Sequence, residues 1–169
     1  MEKNRILIGF MGAGKTSVGK ALAKRLGIGF LDTDKQIEKQ QGMTISRMFE
    51  IQGEEAFRKA ETKLIRSLLA REDAMVLSVG GGLPLREENQ VLLKKLGVVV
   101  YLQVQPDTVL KRLKGDTSRP LLKGGDVRER VTSLLDSRGP IYRQAAEILV
   151  DTDHKTPDEI AAEIIRQTL

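Results

Sequence analysis

Residues 6–16 read ILIGFMGAGKT. Three apolar residues, Ile6, Leu7 and Ile8, run straight into a glycine-rich octet, and helical periodicity through Val18, Leu22 and Leu26 follows. A short apolar run bounded by glycine reads as a buried strand. The octet GFMGAGKT meets G-x-x-x-x-G-K-[ST] at every fixed position and in the required context, strand before and helix after. Glycines let successive backbone N–H groups converge on phosphate oxygens, and the helix N-terminus adds its partial positive charge. Lys15 can reach the β- and γ-phosphates and the Thr16 hydroxyl can ligate Mg²⁺. Gly12, Ala13, Gly14, Lys15, Thr16 and Ser17 are therefore the candidate contacts to a nucleotide, with ATP and Mg²⁺ as the implied ligands. The loop leaves open where the terminal phosphate goes.

The rest of the chain extends the same architecture. Further apolar runs at Gly29–Leu31, Ala74–Val79, Val98–Leu102 and Ile148–Val150 read as buried strands, and helical segments such as the one carrying Val109 and Leu113 lie between them. That alternation predicts an α/β fold, a doubly wound and mainly parallel sheet with right-handed crossovers. At 169 residues a single domain, 1–169, is expected. Two stretches exceed what strand connection needs. Residues 33 to about 71 have room for two or three helices, which predicts a substrate-binding region over about 33–61. Residues 115–125, GDTSRPLLKGG, are rich in glycine and charge and predict a lid.

Composition narrows the partners. A formal charge of +5 would suit nucleic acid, but the basic residues are dispersed among acids and only 4% of residues are aromatic, so a small anionic ligand is the simpler expectation. The absence of cysteine excludes disulfides and thiolate metal sites. With no apolar run long enough to span a bilayer and no signal peptide legible, a cytoplasmic protein is expected, without nucleic acid or membrane partners. No long apolar stripe is left over once the core helices are assigned, so a monomer is expected.

Several constellations then face the phosphate loop. In Leu31-Asp32-Thr33-Asp34, at the end of the second strand, alternate residues of a strand point the same way, so both carboxylates can face the ligand crevice. One could hold the water shell of Mg²⁺ and the other could accept a hydrogen bond from a substrate hydroxyl; an Asp at such a strand end also commonly caps the following helix. Arg58 precedes Glu61 by one helical turn, a spacing that lets an ion pair orient the guanidinium toward a substrate carboxylate, although the commoner fate of such a pair is the solvated surface. Gly80, Gly81 and Gly82 close the third strand and suggest that a ligand meets bare backbone there, against the alternative of a permissive turn before Pro84. Arg119, in the lid candidate, could neutralise charge on the transferring phosphoryl group. Arg138, at the end of a long helix, is a second possible carboxylate clamp. His154, the sole histidine, lacks a partner pattern and reads as a surface loop residue.

Taken in order, GFMGAGKT, LDTD, FRKAE, the glycine triplet, DTSRPLL and SRGPIY resemble the shikimate kinase family from the phosphate loop to the C-terminal helix. The resemblance implies a five-stranded parallel sheet flanked by helices, a P-loop NTPase fold of nucleoside-monophosphate-kinase type with a substrate-binding insert and a lid. It also implies transfer of the ATP γ-phosphoryl to the 3-hydroxyl of shikimate. It assigns Asp34, Arg58, Gly80, Gly81, Gly82 and Arg138 to shikimate, and Lys15 and Arg119 to the transferring phosphate. Thr16 and Asp32 go to Mg²⁺, Arg112 and Pro157 to the adenine, and Phe49 and Phe57 to the apolar walls of the acceptor pocket; Lys15, Asp34 and Arg119 are the catalytic set. The missing Walker B aspartate, where the third strand ends in Ser78-Val79-Gly80, agrees with a family whose metal-side carboxylate comes from the second strand. It argues against an ATPase or a nucleotide switch, and the lack of guanine-reading N-K-x-D argues further against the switch. Gluconate and nucleotide kinases of similar architecture are the nearest rivals.

Overall fold

The computed structural model describes residues 3–113 and 126–168. β1 (Asn4–Ile8) is the middle strand of a five-stranded sheet in the order β2-β3-β1-β4-β5, with β2 at Gly29–Asp32, β3 at Met75–Ser78, β4 at Gly97–Gln103 and β5 at Ile148–Asp151. Every pairing is parallel. Ile6, Leu7, Ile8, Val76, Leu77, Val99, Val100 and Leu102 are wholly buried, as expected of strands covered by helices on both faces. Strand order reverses at β1, since the chain first builds β2 and β3 to one side and then β4 and β5 to the other. Such a switch point opens a crevice at the carboxyl ends of the strands, and the phosphate loop stands there.

The covering helices are α1 (Lys15–Leu26), α5 (Glu87–Leu96), α6 (Pro106–Leu113), α7 (Val127–Ala145) and α8 (Pro157–Thr168). The expected insert between β2 and β3 consists of three helices, α2 (Thr33–Gln41), α3 (Ile45–Gln52) and α4 (Glu54–Leu68). They hold together through a small core of their own, Ile37, Met48, Phe57 and Leu64, with Phe49 packed against it. Gly53 alone separates α3 from α4. Its φ of 87° with ψ of 166° is open essentially to glycine, and it lets two helices meet without a loop.

Two expectations about element boundaries need correction. Asp34 is not on the second strand. β2 ends at Asp32, whose Oδ1 accepts from the backbone N–H of Asp34 (2.9 Å) and Lys35 (3.2 Å), so the next residues are already helical and Asp34 lies in the first turn of α2. Arg138 does not end its helix. α7 continues to Ala145 through Pro140, although an interior proline forfeits one helical hydrogen bond and costs roughly 3 kcal/mol in isolation. Burial of Tyr142 and Ala145 beyond the proline offsets that cost.

Candidate active site

α1 is prepared for an anion. Its N-cap is Gly14, at φ 87°, with no side chain bonded across the first turn and no acidic residue within it, whereas α2 and α7 are capped by Asp32 and Asp126. Lys15 folds back along the loop, its Nζ donating to the carbonyls of Gly9 (2.6 Å) and Phe10 (3.3 Å). Thr16 and Ser17 are exposed in the first helical turn. The Thr16 hydroxyl donates to Asp32 Oδ2 at 3.0 Å. Asp32 thus takes the capping reading of the DTD stretch with one oxygen, while its other oxygen stands beside the phosphate loop. It stands in register with Ser78 on the neighbouring strand, so the end of β2 carries the carboxylate that the end of β3 lacks.

Arg112 on α6 donates from Nη1 to the carbonyl of Gly12 at 2.7 Å, which places its guanidinium over the loop. Pro157 stands exposed as the first residue of α8, the helix that packs against α1. Arg119 and the whole 115–125 segment lie outside the described residues. His154 is exposed, in the left-handed region at φ 62°.

Across the crevice, each member of the glycine triplet faces a charged side chain. A β-carbon on Gly80 would stand 2.7 Å from Asp34 Oδ1 and 3.0 Å from Glu61 Oε2. On Gly81 it would lie 3.6 Å from Arg138 Nη1, and on Gly82 it would fall inside the Arg58 guanidinium. None of the three has a positive φ, so turn geometry does not require glycine here. Space does: two carboxyl groups and two guanidinium groups crowd one strip of bare backbone.

Of these groups, the Arg58 guanidinium is held from behind. Arg58 Nη1 donates to Glu61 Oε1 at 2.7 Å and Nη2 to Glu54 Oε1 at 3.3 Å, with the guanidinium carbon 5.3 Å from the Phe57 ring centroid. Burial works against the Arg58 charge, but Glu61 and Glu54 outweigh it and hold its pKa above the ordinary value. Glu61 is fully buried, and desolvation pushes its carboxyl up to about 7 against the pull of Arg58. Arg138 is 8% exposed and its guanidinium carbon lies 5.9 Å from the centroid of the buried Phe10 ring, a residue of the phosphate loop. Its Nη1 and Glu61 Oε2 are buried with no hydrogen-bond partner among the described residues, as expected of polar atoms in a site that takes a polar ligand. Phe49 packs at 5.4 Å from Phe57, beside Arg58.

Two further residues fix the triplet. Thr33, fully buried between the two aspartates, accepts from the Gly80 N–H at 3.1 Å. Tyr142 donates to the Gly81 carbonyl at 2.5 Å, and burial pushes its hydroxyl up to about 12 although the neighbouring Arg138 charge pulls it down, so it remains a donor at any physiological pH. Sequence reasoning quoted both within motifs and assigned neither a role. A hydroxyl between two carboxylates gives no sign of which backbone group it will meet, and the meeting of Tyr142 with Gly81 depends on how α7 crosses the sheet.

A charged cluster on the glycine triplet, a three-helix insert and a phosphate loop at the switch point of a parallel sheet define a P-loop small-molecule kinase of nucleoside-monophosphate-kinase type. The family model for shikimate kinase matches residues 11–169. Shikimate kinase of Thermodesulfovibrio yellowstonii is 46% identical over 165 residues, 98% of this chain and 94% of that one, and the Caldicellulosiruptor bescii protein of the same name is 44% identical over 163 residues, 96% and 94%. The solved structure of shikimate kinase from Acinetobacter baumannii in complex with shikimate superposes with a TM-score of 0.93 at 39% identity, covering 98% of this chain and 92% of that one. The Aquifex aeolicus shikimate kinase gives 0.83 at 36% identity, covering 96% and 94%. The chain belongs to the shikimate kinase family.

Proposed function

We propose that this chain transfers the γ-phosphoryl group of ATP to the 3-hydroxyl of shikimate, forming shikimate 3-phosphate and ADP in aromatic amino acid biosynthesis. The observation that carries the reading is the glycine triplet packed against Asp34, Arg58 and Arg138, opposite the phosphate loop. Shikimate has one carboxylate and three ring hydroxyls. Such a substrate calls for guanidinium donors, which bind a carboxylate in a fork, and for a carboxylate that accepts from a hydroxyl.

Arg58 and Arg138 hold the substrate carboxylate, and Glu61 keeps Arg58 in place. Phe49 and Phe57 border the ring. Asp34 accepts a hydrogen bond from the attacking 3-hydroxyl and takes its proton as the new P–O bond forms and the bond to the ADP oxygen breaks. Phosphoryl transfer passes through a loose transition state, so alignment of the hydroxyl contributes more than base strength. Lys15 leaves its loop carbonyls to meet the phosphates, while the N–H groups of Gly12, Gly14, Thr16 and Ser17 supply donors at the α1 terminus; the Ala13 N–H donates to the Phe10 carbonyl at 3.1 Å and closes the loop's turn. Arg112 is positioned to stack on the base, with the Pro157 segment on its other face; Arg119 is assigned to the transferring phosphate.

Thr16 and Asp32 suit Mg²⁺. No cluster of three or more histidine, aspartate or glutamate side chains is placed to hold a metal among the described residues, and Mg²⁺ characteristically takes one or two protein oxygens and completes its shell with phosphates and water. When bound it neutralises charge on the β- and γ-oxygens. Asp32 would hold it through water.

We take the chain to act as a monomeric, single-domain cytoplasmic enzyme without nucleic acid. Among the described residues the large exposed apolar side chains are Ile51, Leu69, Val91, Val127 and Leu149, on different elements of the fold, and no described helix is long and apolar enough to cross a membrane. The test of the functional reading is ADP release across shikimate, quinate, gluconate and nucleoside monophosphates. Shikimate-dependent turnover well above the rest is expected; brisk turnover on another acceptor with none on shikimate overturns the assignment.

A further inference from the structure

The buried face of α5 is formed by Asn89, Leu92, Leu93 and Leu96, the spacing of one apolar stripe, with an amide in place of the first hydrophobic residue. Asn89 is completely buried. An apolar side chain would pack there without the cost of desolvating an amide, so what its two polar atoms meet becomes the question. Nδ2 donates to the Leu83 carbonyl at 2.8 Å, and Oδ1 accepts from the Thr62 hydroxyl at 2.8 Å. Thr62 is itself buried, one turn beyond Arg58 on α4, with its hydroxyl 3.2 Å from the Arg58 carbonyl. The path therefore begins at the residue after Gly82 and ends on α4, one turn from the residue whose guanidinium fills the space over Gly82. The neighbouring Gln90 donates from Nε2 to the Pro84 carbonyl at 2.8 Å, so two consecutive amides of α5 hold the turn that follows the glycine triplet.

We propose that Asn89, acting through Thr62 and Leu83, is a positioning residue of the acceptor site, setting the separation between α4 and the Gly82 turn and thereby the placement of the Arg58 guanidinium. It touches neither substrate. Because the bonds of Asn89 run to Leu83 and Thr62, on the side of α4 and the Gly82 turn, its loss acts on acceptor affinity and spares the donor. The proposal rests on the reading of Arg58 as a clamp for the substrate carboxylate.

The experiment uses the full chain, with steady-state kinetics in which shikimate and ATP are each varied, for wild type, Asn89→Leu, Thr62→Val and Thr62→Ser, at a temperature well below the melting point of every variant. Asn89→Leu orphans the Leu83 carbonyl and is expected to raise KM for shikimate about tenfold, the scale of one lost buried hydrogen bond. KM for ATP and kcat stay within about twofold, since neither depends on the path. Thr62→Val raises KM for shikimate about threefold, and Thr62→Ser, which keeps the hydroxyl, restores the wild-type value. If Asn89→Leu does not fold, the contrast between Thr62→Val and Thr62→Ser decides alone. A lowered melting temperature with unchanged shikimate KM makes Asn89 purely structural and overturns the proposal, as does an equal rise in both KM values. Wild-type turnover in the same series tests the functional reading separately, so the two failures are distinguishable.

Discussion

Gly82→Ala isolates the role of Arg58 without altering any charged residue. Gly82 has φ −89° and ψ −11°, a conformation alanine adopts freely, so the backbone is not strained by the change. The added methyl would instead occupy the volume of the Arg58 guanidinium. A side chain 12% exposed and held at 2.7 Å to Glu61 and 3.3 Å to Glu54 must then swing away. Glu61, left behind, can take up a proton, because burial already pushes its carboxyl to about 7, so the loss of global stability stays small. The loss at the site does not: a charge-assisted contact to a substrate carboxylate is worth about 1.5–3 kcal/mol, which is roughly a ten- to hundredfold rise in KM for shikimate. KM for ATP stays at the wild-type value. The assay is coupled ADP release with each substrate varied, alongside Gly29→Ala as a control, since a β-carbon on Gly29 meets nothing within 4 Å. A Gly82→Ala enzyme with wild-type shikimate KM and an intact fold would mean that Arg58 does not clamp the acceptor.

Tyr142→Phe removes the donor to the Gly81 carbonyl at a cost of about 1 kcal/mol, and shikimate affinity measured by calorimetry should fall about fivefold with ATP affinity unchanged. Asp32→Asn, which takes the negative charge from beside Thr16, should raise the free Mg²⁺ needed for half-maximal rate about tenfold; an unchanged Mg²⁺ titration would remove Asp32 from the metal side. Glu61, facing Arg58, Asp34 and Arg86, has a folded-state pKa raised from 4.5 to about 7, so the folded chain holds this proton where the unfolded chain has lost it. Its contribution to stability is therefore full below about 4.5 and is lost as pH rises to about 7, a fall of roughly 2–3 kcal/mol. Urea melts should show wild type losing stability relative to Glu61→Gln across that window, and the opposite slope would mean that Arg58 outweighs burial.

Much of the fold was legible because its signals are local. The apolar runs became the five strands within a residue or two, and the surplus length after Thr33 became three helices. The phosphate loop was legible in full, since one continuous octet performs one task. The acceptor side was legible as a set of residue types but not as an arrangement. Asp34 was expected on a strand because the cap formed by Asp32 leaves the same sequence trace as a strand end. Arg138 was expected at a helix end because Gly139-Pro140 ordinarily stops a helix, and burial of Tyr142 beyond it has no sequence signal. The triplet suggested a ligand against bare backbone, and nothing local in the sequence showed that its glycines also make room for the chain's own charged groups. Asn89 left one local trace, an amide in an apolar stripe, and its connection to Arg58 depends on the packing of α4 against α5.

The most direct measurement is ¹H–³¹P correlated NMR of the product formed from shikimate and ATP with Mg²⁺. If Arg58, Arg138 and Asp34 present the acceptor as proposed, all transferred phosphate appears as a single ester coupled to the proton on C3, in equal amount to the ADP released. A phosphate ester on another hydroxyl, or ADP accompanied only by inorganic phosphate, would contradict it.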